Sequence, residues 1–283
     1  MPVPISEALS VQADAARSKS AELRRPGRYL LSSALAGAYI GIAVVVLLAV
    51  TGPLNAAQSP WTKLVQGLVF GIALTLVVFA GGELSTGNMM TMVQGTFARR
   101  TGPGRGIAVI AGSFAGNLAG SAGFAWLVHE SGILQAGATP GHAAPAAALL
   151  AATVKAKTAE SAAMLFFRGV LCNLLVCLGV WMAARTKSDG AKLVLLFWCL
   201  LAFIGSGFEH VVANMTTFSL GLFEGVPGAT FGAFAVNLVL VGLGNLVGGG
   251  LIVGAGYGFL GRGGPAPAAE PRPAGEALEP VSA

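Results

Sequence analysis

One histidine, His210, stands inside an otherwise apolar stretch, within Gly205-Ser206-Gly207-Phe208-Glu209-His210. Imidazole serves as hydrogen-bond donor, acceptor or cation near neutral pH, so this position is a candidate for polar or proton-transfer chemistry. An ionisable group at membrane depth is by default functional. Gly205-Ser206-Gly207 followed by His210 raises a second chemistry, that of an intramembrane serine protease. That enzyme needs its base on another helix, facing the serine. Here serine and histidine share one segment, and Ser206 reads better as a small residue at a helix break. The other histidines, His129 and His142, fall in a polar connection. Cys172, Cys177 and Cys199 lie in apolar runs without metal-ligand spacing, so they read as buried small hydrophobes, and no metal or cofactor is expected.

The histidine segment has a counterpart earlier in the chain. Gly81-x-Glu83-x4-Asn88-Met89 matches Gly207-x-Glu209-x4-Asn214-Met215, 126 positions on, and Gly116-Asn117-Leu118-Ala119-Gly120 matches Gly244-Asn245-Leu246-Val247-Gly248, 128 positions on. His210 itself has no twin, since Leu84 stands at the equivalent place. Glu83 and Glu209 are therefore expected to share a structural duty, accepting backbone N–H bonds freed where their helices break, with a place on the ion path as the alternative. Asn88, Asn214, Asn117 and Asn245 are expected to use their amides in the same way.

These residues need elements that hold them in a bilayer. Of the 283 residues 54% are hydrophobic and only 10% charged, against about 25% charged in an ordinary soluble domain. The 41 glycines suit close helix packing in lipid. Apolar segments run roughly over 30–50, 64–98, 106–128, 163–184, 192–222 and 229–258. The second and fifth exceed the about 20 residues that a span requires, and both contain the glycine–glutamate interruptions. Broken helices at membrane depth are tolerated where they are buried or line a cavity. The sequence thus predicts an all-α bundle of six transmembrane helices with inverted three-helix repeats, about 30–128 and 163–258, and breaks in spans two and five.

Residues 1–28 form an amphipathic N-terminal segment, helical over 4–24, without the apolar core of a cleavable signal. Residues 29–260 are expected to form the six-helix transmembrane domain, and the Pro- and Ala-rich 261–283 a disordered tail. The net charge of +5 does not signal nucleic acid, because most of the 17 lysines and arginines fall on one side of the bilayer in this topology. Arg17, Lys19, Arg24, Arg25, Arg28, Arg99, Arg100, Arg105, Arg185, Lys187, Lys192, Arg262 and Arg272 share that side, and Lys63, Lys155 and Lys157 face the other. Positive residues stay inside, so both termini are placed in the cytoplasm. On the opposite side Lys155 and Lys157 would concentrate anions, although Lys155 also fits a solvated loop lysine.

The stretches Ser206-Gly207-Phe208-Glu209-His210-Val211-Val212-Ala213-Asn214-Met215, Gly82-Glu83-Leu84-Ser85-Thr86-Gly87-Asn88 and Leu171-Cys172-Asn173-Leu174-Leu175-Val176-Cys177-Leu178 resemble the motifs of the formate/nitrite transporter family, over roughly residues 5–260. Ala36-Gly37-Ala38-Tyr39-Ile40-Gly41 and Trp198-Cys199 favour its nitrite branch. The resemblance implies an aquaporin-like fold in the bacterial inner membrane, assembled as a homopentamer with one pore per protomer. Nitrite is the implied substrate, with protons as possible co-substrates and formate, lactate or hydrosulfide as alternatives. It further implies His210 as the central pore histidine, Thr86 as its partner, Asn173 as a neighbouring amide and Lys157 as the basic residue of the outer vestibule. Phe70, Leu74 and Phe203 would form the outer apolar constriction, and Leu84 and Val176 the inner slit. Ser85 departs from the aromatic that the family often places before the threonine. A water or polyol channel is disfavoured because the chain contains no Asn-Pro-Ala. A scaffold without transport would need neither the breaks nor the histidine.

Overall fold

The computed structural model describes residues 1–261 and is all-helical; of the tail expected over 261–283, residues 262–283 lie outside the described residues. Helix α1 is Ile5–Glu22, α2 Pro26–Ala56, α3 Thr62–Gly81, α4 Ser85–Phe97 and α5 Pro103–Glu130. After a short 3-10 turn at Ile133–Gln135 follow α6 Pro145–Ala159, α7 Ala162–Ala184, α8 Asp189–Gly205, α9 Val211–Phe223 and α10 Phe231–Leu260. Among the described residues five helices, α2, α3, α5, α7 and α10, are long and apolar enough to cross a bilayer. The expected fifth span is divided between α8 and α9, of 17 and 13 residues, so neither piece reaches that length alone.

Both interruptions have the same backbone cause. Gly81 and Gly207 take φ of +83° and +74°, a left-handed conformation that a Cβ would strain, and each turns the chain out of its helix. The chain then runs extended through Gly82 and Leu84 to the start of α4, and through His210 to the start of α9. Helix α3 ends in a π-helical turn, Leu76–Gly81, one of the known forms in which a helix loosens at a functional site.

The halves pack alike. A Cβ on Gly120 of α5 would collide with the carbonyl oxygen of Ala34 on α2, and one on Gly248 of α10 with that of Val170 on α7. Small residues here let backbones touch, which is how helices gain contact where lipid offers no hydrophobic drive. Ala36, Ile40, Val44, Phe70, Leu200, Phe203, Val211 and Val241 belong to one continuous apolar core between the helices. Helix α1 buries Ala8, Leu9, Gln12, Ala13, Ala16 and Ser20, a stripe at helical spacing, and rests on α4. The stripe is small and partly polar: Gln12 accepts from the Thr91 hydroxyl, and Ser20 bonds Thr101.

Candidate functional site

The backbone groups released at each break are claimed by an asparagine from the third helix of the same half. Asn117 Oδ1 accepts from the Ser85 N–H at 2.9 Å, while its Nδ2 donates to the carbonyls of Ser33 and Glu83. Asn245 repeats the pattern, accepting from Val211 N–H at 2.9 Å and donating to Gly169 and Glu209. The Glu83 and Glu209 N–H groups go to the carbonyls of Ser32 and Arg168. The expected role of the two carboxyls as acceptors of freed N–H groups is thus corrected: asparagine fills it, because an amide both accepts and donates where a carboxylate only accepts.

The carboxylates instead anchor lysines. Lys157 Nζ donates to Glu209 at 2.6 and 2.8 Å, and Asn214 Nδ2 donates to Glu209 at 2.7 Å and to Asn237. On the other half Lys19 Nζ donates to Glu83 at 2.7 and 2.8 Å, with Asn88 bonded to Glu83 and Ser113. Lys19 lies on α1 and Lys157 on α6, so the internal correspondence reaches further than sequence matching traced it. Each half carries a lysine helix, a break and an asparagine.

His210 caps α9. Its Nδ1 accepts from the Ala213 N–H at 3.2 Å, the usual service of an N-cap side chain. That bond leaves no hydrogen on Nδ1, so the neutral ring carries its hydrogen on Nε2, which lies 3.0 Å from Thr86 Oγ1. Thr86 stands in the first turn of α4. The helices α4 and α9 therefore meet by their N-termini, the ends that bear partial positive charge. At that meeting the N–H groups of Thr86, Gly87 and Val212 have no hydrogen-bond acceptor among the described residues. Thr86 and Val212 are fully buried and Gly87 is half-buried, so these unused donors lie largely out of solvent.

A cavity of about 660 Å³ opens above this junction. His210, Lys157, Glu209, Asn214, Phe70 and Phe203 line it, and Phe70 and Phe203 meet edge to face at 5.6 Å. Phe203 also packs 6.1 Å from the His210 ring, so two phenyl groups and the imidazole share the floor. Thr86, Asn173, Leu74, Leu84, Val176, Glu83 and Asn88 do not line this cavity. Leu74, Leu84 and Val176 are buried in the apolar core, and Glu83 and Asn88 belong to the opposite half. Asn173 reaches neither the imidazole nor the cavity: its Nδ2 donates to the carbonyls of Thr86 and Asn245 and so ties α4 to α10. Ser206 is exposed, and both His210 nitrogens are engaged elsewhere, which removes the serine–histidine pairing.

Sequence reasoning counted Lys63 among the outer cations but gave it and the cavity's other polar groups no role in the site. Lys63, Gln66, Glu160 and Arg168 line it, and Arg168 is paired with Glu160. The only signal for these was a cluster of polar residues at the ends of apolar segments. Ser85, the departure from the family pattern, is fully buried, and its hydroxyl has no hydrogen-bond partner among the described residues.

Comparison with known proteins matches this architecture. A family model described as formate/nitrite transporter covers residues 6–259. The nitrite transporter NirC of Escherichia coli (strain K12) is 40% identical over 247 residues, spanning 87% of this chain and 88% of that protein. A solved structure described as an FNT family ion channel superposes with a TM-score of 0.81 at 38% identity, covering 89% of this chain and 98% of the other. A pentameric formate channel with formate bound gives a TM-score of 0.72 at 30% identity, covering 84% and 98%. With matching motifs, fold and sequence along nearly its whole described length, the chain belongs to the formate/nitrite transporter family.

Proposed function

We propose that this chain is a nitrite-conducting pore in which the anion passes the junction of α4 and α9. Moving a small anion from water into an apolar interior costs about 20 kcal/mol in the idealised limit, and several kcal/mol after relaxation. The junction offers the unused N–H groups of Thr86, Gly87 and Val212, and the Thr86 hydroxyl. Hydrogen bonds to a charged group contribute about 1.5–3 kcal/mol each, so three or four of them match the relaxed penalty. Unused donors at two facing helix ends, beneath a cavity, are the observation that carries this reading.

The tautomer assigns the histidine its part. A ring with its hydrogen on Nε2 donates to Thr86 Oγ1, which leaves the threonine's own hydrogen to point at an anion. Giving up that Nε2 hydrogen would leave an imidazolate. The ring therefore stabilises the anion as a neutral donor chain, and supplies a proton only after Nδ1 takes one and releases Ala213. Phe70 and Phe203 strip water from the anion on its approach, while Leu84 and Val176 form the slit beyond the junction. Asn173 holds the Thr86 backbone in place.

In this reading residues 29–260 make six crossings in the bacterial inner membrane, with the 1–28 segment and both termini in the cytoplasm. The Lys157 cavity opens outward, and five copies assemble around a shared axis, each with its own pore. NirC of E. coli supports nitrite, and the formate-bound neighbour supports formate as a second substrate of the same junction. The test is uptake of nitrite and formate into liposomes containing the purified chain and its His210→Asn variant. Asparagine is a good N-cap and keeps the bond to Ala213, but it cannot deliver the Nε2 donor to Thr86. Uptake by the wild type with near-complete loss in the variant is expected; equal uptake by both would remove the histidine from the pathway.

A further inference from the structure

The cavity above His210 is lined by three cations, Lys63, Lys157 and Arg168, and by two carboxylates, Glu160 and Glu209. Two of the cations are already engaged. Lys157 holds both oxygens of Glu209, and Arg168 Nη1 donates to Glu160 Oε1. Lys63 has no ion pair and no side-chain hydrogen bond among the described residues. The cavity's one uncompensated positive charge therefore belongs to Lys63.

Its place in the chain sharpens the imbalance. Lys63 is the second residue of α3, whose first turn holds no acidic residue and whose N-cap gives no side-chain hydrogen bond. A cation there faces the positive end of its own helix, the arrangement opposite to the stabilising one. The helix dipole therefore does not favour a lysine at this position. A positive charge kept against its local preference, on the wall of a cavity that ends at an anion junction, has a use when an anion arrives. Lys157 cannot serve in its stead without letting go of Glu209, which would bare a carboxylate, side-chain exposure 7%, in the path of the incoming charge.

The geometry points to Lys63 as the residue that captures the small monovalent oxyanion in the cavity before it reaches the His210 junction. The side-chain amides of Asn55 and Gln58 stand on the same lining and complete a polar receiving site. This inference rests on the pore reading above, and adds the residue that sets apparent affinity at the mouth. It predicts a division of labour: Lys63 governs the substrate concentration needed for half-maximal flux, and His210 with Thr86 governs the maximal rate.

The test measures nitrite uptake into liposomes by the full chain and its Lys63→Met, Lys63→Arg and His210→Asn variants, at low and high ionic strength. Lys63 is exposed, so the methionine variant should fold, and its thermal midpoint checks this. Loss of one unscreened charge should raise the half-saturating nitrite concentration about three- to tenfold at low salt, with the maximal rate unchanged. At high salt the gap should shrink below about twofold, since the Debye length falls to about 3 Å at 1 M. Lys63→Arg should behave as wild type. Unchanged half-saturation and salt response in Lys63→Met would overturn the assignment while leaving the pore reading intact, provided that His210→Asn remains inactive. Equal impairment of the arginine and methionine variants would mean that the lysine's shape matters and its charge does not, which also overturns it. A wild-type chain that carries no nitrite would bring down the pore reading, and this inference with it.

Discussion

Replacing Lys157 by methionine isolates the electrostatics of the cavity. The change leaves the Glu209 carboxylate, whose side chain is 7% exposed, with Asn214 Nδ2 as its remaining side-chain donor. Removing one partner of a buried ion pair costs about 3–5 kcal/mol, most of it the penalty of stranding the other charge. The detergent-solubilised variant should therefore unfold at a clearly lower temperature. Transport should suffer separately. At an effective dielectric constant of about 20, two like charges about 8 Å apart repel by about 2 kcal/mol, or about thirtyfold in rate, which sets the scale of the flux expected to be lost to a bare Glu209. The double variant Lys157→Met with Glu209→Gln removes the stranded charge, and the glutamine oxygen still accepts from Asn214. It should recover most of the lost stability and bring nitrite flux in liposomes back to within a few-fold of wild type. A double variant that transports no better than Lys157→Met alone would refute the reasoning, since Lys157 would then be needed for its own charge and not to silence Glu209.

Two further outcomes follow from the internal correspondence. Asn117→Leu should destabilise by about 3 kcal/mol or more, because Ser85 N–H and the carbonyls of Ser33 and Glu83 lose a buried partner together. Asn245→Leu should cost a similar amount through Val211, Gly169 and Glu209, and thermal unfolding of both variants in one detergent checks the equality. Gly248→Val should fail to yield stable protein, because its side chain would enter the backbone of Val170 and force α7 and α10 apart; a normally stable variant, seen by size-exclusion chromatography and thermal melting, would contradict that contact.

Much of the architecture was legible before any coordinates. The apolar runs located the membrane helices, and Gly81 and Gly207 marked the breaks because glycine followed closely by glutamate interrupts an apolar stretch with no other purpose. His210 stood out for the same reason. What stayed hidden was which polar group answers which. Glu83 and Glu209 sit in sequence beside the broken backbone, so local reasoning gave them its N–H groups first, with Asn88, Asn214, Asn117 and Asn245 in the same role. In space an asparagine more than thirty residues downstream reaches those groups first, and the carboxylates turn to lysines 64 and 52 positions upstream. Such pairings depend on how α1 and α6 fold back, and no periodicity records that. The family resemblance singled out Asn173 as an amide neighbouring the histidine, but its target, the backbone of Thr86 and Asn245, required the meeting of α4, α7 and α10. Lys63 was visible only as one charge near a span's end, and its lack of a partner emerges once Lys157 and Arg168 are seen to be taken.

The junction itself is best probed at Thr86, whose hydroxyl is the one side-chain hydrogen-bond partner of His210 Nε2 among the described residues. Nitrite flux through Thr86→Ser and Thr86→Val should be compared in matched liposomes. Serine keeps the hydroxyl and should retain flux within about threefold. Valine keeps the shape, but it leaves the Nε2 hydrogen unaccepted at a cost of about 1–3 kcal/mol and removes a donor to the anion, so flux should fall about ten- to a hundredfold. Equal flux through the valine and serine variants would show that the anion does not pass by way of this hydroxyl.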